Sequence, residues 1–146
     1  YGKKPGENVT LKISRGKIMK PSNFQFVNPY LEELYFVENH NFDANQTEFE
    51  MQNSFNVQTK RSKDDNRAKV ELTLEINMDN EKAPFKLRIK VSSDFKWENL
   101  DDKTLESLLK FNAPALLLGY MRPIVANITN SSKFPVYNLP FINFTE

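Results

Sequence analysis

Cysteine is absent from this 146-residue chain, which removes disulfides, thiolate nucleophiles and thiolate metal sites together. The absence suits a reducing compartment, so a cytoplasmic location is expected. Histidine occurs once. His40 has Asp43 nearby but no second His, no Cys and no Glu at metal-ligand spacing, so a surface loop histidine is expected, with no metal site. Glycine is scarce, standing only at 2, 6, 16 and 119, which leaves no phosphate-cradling loop and no nucleophile elbow. The acid pairs Glu32/Glu33, Asp64/Asp65 and Asp101/Asp102 fall in loops or at a helix start, where solvation or capping accounts for them. No catalytic residue is assigned, and no enzyme is expected. With a net charge of +1, the chain has no long-range field for nucleic acid or an anionic membrane. No apolar run approaches the roughly 18 residues of a membrane span, so neither nucleic-acid binding nor membrane insertion is expected. The Asn-x-Ser/Thr triplets at Asn8, Asn45, Asn127, Asn130 and Asn143 are expected by chance in a chain so rich in these residues.

What is present fits one globular domain, with residues 1–8 as a flexible lead-in and 9–146 as the domain. Val9, Leu11 and Ile13 alternate with polar residues and predict a first strand, resuming at Phe24 and Phe26. Residues 28–42 (NPYLEELYFVENHNF) show neither alternation nor a heptad and are expected to form a long crossover loop. Phe49, Met51, Phe55 and Val57 mark a second strand. Val70 to Met78 alternate without a miss as a third, and Phe85 to Val91 form a fourth. Short polar turns between the last three predict an antiparallel meander with one dry face. Asp101 or Asp102 is placed to cap a helix over 105–111. A second helix over 114–128, with Asn112 as its N-cap, carries Leu117, Met121, Ile124, Val125 and Ile128 at helical spacing. Pro123 inside it is expected to bend the axis. The fold class is α+β: a four-stranded antiparallel sheet, a long crossover loop after strand 1, and C-terminal helices packed on one face.

The chain holds 12 Phe, 5 Tyr and 1 Trp, more aromatic content than such a core requires. Phe49, Phe55 and Phe85 are assigned to the core. Tyr30, Leu31, Leu34, Tyr35 and Phe36 in the expected crossover loop, with Phe134, Val136, Tyr137, Leu139, Phe141 and Phe144 after the last helix, lie in non-periodic segments and are the candidates for a binding surface. Leu116, Tyr120, Ile124 and Ile128 widen the apolar arc of the helix beyond one face and are the candidates for a subunit interface.

The runs LLLGYMRPIVANIT (116–129) and FPVYNLPFINF (134–144) resemble the bacterial SecB export chaperones, whose pattern is matched by Tyr120, Arg122, Phe134, Pro135, Leu139, Asn143 and Phe144. The resemblance implies an ATP-independent holdase, a homotetramer built as a dimer of dimers. Unfolded preproteins, or a dedicated client such as an antitoxin, would be held in grooves beside the crossover loop and the C-terminal segment. It implies no nucleotide and no cofactor. Three departures are visible. Pro123 follows the arginine directly. Gln25, Lys86 and Arg88 stand where the family presents an acidic surface to the SecA motor, a reversal that opposes SecA docking. The sequence stops at Glu146, where the family continues into a further helix. A carrier of a small apolar ligand and a non-chaperone adaptor on the same fold are the alternatives.

Overall fold

Alternating apolar and charged residues make the two central strands. In the computed structural model, which describes residues 12–13, 17–18 and 23–144 apart from 44 and 47, β5 (Arg67–Ile76) and β6 (Phe85–Trp97) pair antiparallel with Leu72 opposite Val91 and Leu74 opposite Ile89. Val70, Leu72, Leu74 and Ile76 of β5, with Phe85, Leu87, Ile89, Val91, Phe95 and Trp97 of β6, face one side and form the core. Burying each such side chain is worth about 1.5–3 kcal/mol. β3 (Phe24–Glu38) and β4 (Asn53–Arg61) flank them, giving the antiparallel order β3-β6-β5-β4. Upstream, β1 (Lys12–Ile13) and β2 (Lys17–Ile18) form a separate two-stranded ladder. Of the first strand expected from the sequence, residues 9–11 lie outside the described residues, as does the lead-in 1–8, and Lys12 and Ile13 belong to this small ladder.

The four-stranded sheet and the crossover are as expected, but their positions need correction. Residues 28–38 are not loop: they belong to the 15-residue edge strand β3. Its alternation is unreadable because the pairing with β6 shifts twice, between Val27 and Tyr30 and between Leu31 and Glu33. At the first shift Asn28 holds φ 52°, a left-handed conformation that Asn tolerates better than most residues. The crossover is instead 39–52, and it runs from one edge of the sheet to the other. Phe49 and Met51, expected on the second strand, belong to it.

Two asparagines clamp its ends to the turn between β5 and β6. Asn39 donates from Nδ2 to the carbonyls of Glu81 (3.0 Å) and Ala83 (2.8 Å), and its N–H bonds Pro84 O. Buried Asn77, at φ 59°, accepts the Gln52 N–H on Oδ1 (3.0 Å) and donates its own N–H to Gln52 O (2.9 Å).

The helical layer packs over the core face. Asp101 Oδ1 accepts the Thr104 N–H at 2.9 Å and caps α1 (Asp102–Ser107). These bonds favour the ionised carboxylate and hold its pKa below the ordinary value. Asn112 is not an N-cap: it is helical and makes no side-chain cap bond. A π-helical turn, Leu108–Asn112, joins α1 directly to α2 (Ala113–Asn130), and the Ala113 N–H reaches back five residues to Leu108 O. The wider turn falls just before Pro114, which lacks the N–H that a regular helix would use there. Leu117, Leu118, Met121 and Val125 of α2 are buried against the sheet, and Pro123 lies on its exposed side.

Candidate functional site

Residues 131–144 leave α2 and return across the core face without regular structure. Side-chain hydrogen bonds hold this segment. Ser132 Oγ accepts the Phe134 N–H (3.1 Å). Thr129 Oγ1 accepts the Tyr137 N–H (2.8 Å) while donating to Val125 O (2.9 Å). Asn53 Nδ2 donates to Tyr137 Oη (2.7 Å). Arg122 donates from Nη1 to Leu139 O and from Nη2 to Pro140 O (2.9 Å). Leu139 is buried as an anchor in the core.

Between this segment and the crossover lies an open groove of about 580 Å³, walled by Phe42, Phe49 and Met51 on one side and by Phe134, Pro135, Val136 and Tyr137 on the other. The rings meet edge to face, Phe42 with Phe49 (6.1 Å) and Phe42 with Phe134 (6.0 Å). Phe134 also contacts Phe85 (5.9 Å), which packs on Phe36 (5.2 Å), so the floor is tied to the core. Half-buried rings fixed at their edges offer apolar area at little ordering cost. Gln46 and Glu48 are the polar residues at its rim. At the opposite end of the sheet a hollow lined by Asn23, Gln25, Asn66, Arg67, Lys96, Trp97 and Glu98 is polar and lacks such a floor.

The candidates named from sequence do not all meet here. Phe134, Val136 and Tyr137 line the groove, Leu139 anchors its wall, and Phe144 packs edge-on against Phe55 (6.3 Å) farther along the segment. Phe141 is 86% exposed. The five β3 candidates lie outside the groove lining and divide between the two faces of the sheet: Leu31, Leu34 and Phe36 stand opposite the core residues Val91, Ile89 and Leu87, whereas Tyr30 and Tyr35 stand opposite Ser92 and Arg88. Of the groove residues, Phe42, Phe49 and Met51 were not among the candidates. Their signal was three large apolar residues in an aperiodic, Asn-rich stretch.

Leu116 and Tyr120 are exposed on α2, and with Phe26 and Pro29 they line a second, apolar hollow between the helix and the β3 edge. Ile124 and Ile128 are half-buried against the core. The outer face of the sheet carries charge pairs. Glu32 accepts from Ser92 Oγ (2.6 Å) and Lys69 Nζ (3.0 Å). Lys69 also lies 3.3 Å from Glu71, and Arg88 pairs with Glu33 (2.8 Å) and Glu75 (2.9 Å). The bond from Ser92, then that from Lys69, holds Glu32 below the ordinary carboxylate pKa, and Glu32 in turn raises that of Lys69. Among the described residues no group of three or more His, Asp or Glu is placed to hold a metal, and no helix is long and apolar enough to cross a membrane.

The sequence model of the family described as "Preprotein translocase subunit SecB" matches residues 19–146. The protein-export protein SecB of Anaplasma phagocytophilum is 33% identical over 81 residues, covering 51% of each chain, so this chain spans about half the length of that relative. Among solved structures, the SecB-like chaperone Rv1957 of Mycobacterium tuberculosis, in complex with a ChAD peptide from the HigA1 antitoxin, superposes with a TM-score of 0.68 at 13% identity over 82% of this chain and 91% of that one. At that identity the likeness speaks for the fold.

Proposed function

Because this chain belongs to the SecB family, we propose that it is an ATP-independent holdase that keeps non-native polypeptide from aggregating, for export or for one dedicated client. The observation that carries this reading is the groove between the crossover and the C-terminal segment, whose aromatic walls are fixed in place yet left open. Such a surface gives weak, additive, sequence-tolerant contacts, as a holdase needs. The antitoxin peptide bound by the M. tuberculosis neighbour supports a client that is a short segment of a partner protein as well as an unfolded preprotein.

The exposed Leu116 and Tyr120, continuous with Phe26 at the β3 edge, support assembly with further copies of the chain, in the homotetramer of the family. Lys86 and Arg88 stand on the outer face where the family presents acidic residues to SecA, each bound to neighbouring glutamates, which supports a dedicated client over motor-coupled delivery. The test is suppression of aggregation of a slowly refolding substrate, followed by light scattering. Suppression near one assembly per substrate supports the proposal, and none at any ratio removes it.

A further inference from the structure

The edge strand β3 contains two more residues than its partner can pair. Val27 stands opposite Asp94 and Tyr30 opposite Ser92, so Asn28 and Pro29 together face the single residue Ser93. Leu31 stands opposite Val91 and Glu33 opposite Lys90, so Glu32 is a second extra residue. Each is a β-bulge, which leaves ladder groups unpaired unless something else meets them.

Beside these two bulges lie two consecutive serines, Ser92 and Ser93, both fully buried, in a strand that otherwise alternates apolar and charged residues. Because side chains alternate across a strand, each serves a different face. Ser93 Oγ donates to Val27 O at 2.9 Å, with Asp94 O at 3.0 Å as the other acceptor in reach, which meets a carbonyl at the first bulge. Ser92 Oγ donates to the Glu32 carboxylate at 2.6 Å, and Lys69 Nζ reaches the same group at 3.0 Å.

We propose that the Ser92–Ser93 pair specifies the register of β3, and thereby decides which of its large apolar side chains face the helix layer and which face outward. The parity argument is direct. Phe26 and Leu31 share the inner face although five apart, and Leu31 and Leu34 share it although three apart, which only an inserted residue in each interval permits. With one bulge lost, Leu34 and Phe36 would turn away from the core. With both lost, Tyr30 would turn inward and Leu31 outward. A long apolar edge has many near-equivalent pairings, and two hydroxyls, one bound to the Val27 carbonyl at the first bulge and one to the side chain of the extra residue Glu32 at the second, select among them.

The absence of cysteine permits a register-specific test. Val37 stands directly opposite Lys86, so a full-length chain carrying Val37→Cys and Lys86→Cys should oxidise to an intramolecular disulfide. Adding Ser92→Ala and Ser93→Ala should lower that yield about fivefold or more, and amide exchange should quicken at least about tenfold over residues 26–34 while β5 is unchanged. An undiminished yield, or acceleration spread evenly over β5, would overturn the proposal by reducing the serines to general stability. Should the double serine variant fail to fold, Glu32→Gln on the outer face isolates the second bulge. Faster exchange confined to about residues 30–34 is then expected, and rates within about twofold of the parent overturn the proposal.

Discussion

Arg122 and Leu139 are joined across 17 residues of sequence by a bond from the guanidinium to a backbone carbonyl, with Pro140 O taken by the second nitrogen of the same fork. A helix side chain thus fixes the wall of the groove, and the arginine that marks the family pattern acquires a physical task.

Arg122→Ala removes both bonds and is expected to lower stability by about 1–3 kcal/mol in denaturant unfolding, with faster amide exchange over residues 136–142. Arg122→Lys keeps the charge but not the planar fork, so it should recover only part of the loss. Equal stability of all three proteins would show that the segment is held by Leu139 burial alone.

Asn77 is nearly inaccessible, and its side chain bonds Gln52 N, Phe85 O (3.1 Å) and the Met51 sulfur (3.3 Å). Asn77→Ala leaves those backbone groups unmet and puts alanine at φ 59°, so a loss of about 2–4 kcal/mol is expected. Asn77→Gly relieves the backbone conformation alone and should be the milder change. The ordering of the two melting temperatures checks this account against one based only on burial.

Much of this architecture was legible from periodicity. Residues 70–76 and 85–91 announced the two central strands because one face is dry and the other wet. What stayed hidden was β3, whose parity resets at Asn28 and Glu32 so that no window shows clean alternation. The crossover was displaced with it: Tyr30 and Leu31 lie on β3, and the crossover instead carries Phe42 and Phe49, which line the groove beside the C-terminal segment. The clamps made by Asn39 and Asn77 have no local signature, since their partners lie 42 and 44 residues away in one case and 25 in the other. Arg122 was visible as part of a pattern, but its partners Leu139 and Pro140 were not.

Glu32, with its pKa depressed by Ser92 and Lys69, gives a pH prediction whose sign is fixed. An unfolded-state glutamate titrates near 4.3, so the stabilisation from this site is present above that pH and is lost as pH falls through the lower folded-state value. Lys69, Lys90, Glu71 and Tyr30 face the same site. Replacement by Gln should therefore flatten the decline of stability below about pH 4, by about 1 kcal/mol or less for so accessible a group. Parallel curves for the two proteins would contradict it.

Leu116 and Tyr120 give a prediction on assembly. If further copies cover them, the parent protein should scatter light as about four chains. Leu116→Glu with Tyr120→Glu should shift the mass to smaller species without unfolding, because both side chains are exposed in the single chain. A monomeric parent would contradict the assembly.

The central claim, that non-native polypeptide occupies the groove of Phe42, Phe49 and Phe134, is tested most directly by site-specific photocrosslinking. A benzophenone side chain at Val136, inside the groove, is compared with one at Arg67, in the polar hollow at the other end of the sheet. The account predicts a crosslink to an unfolded substrate from position 136, little from position 67, and none from either to the same substrate once folded. Equal yields from the two positions, or no crosslink from position 136, would contradict it.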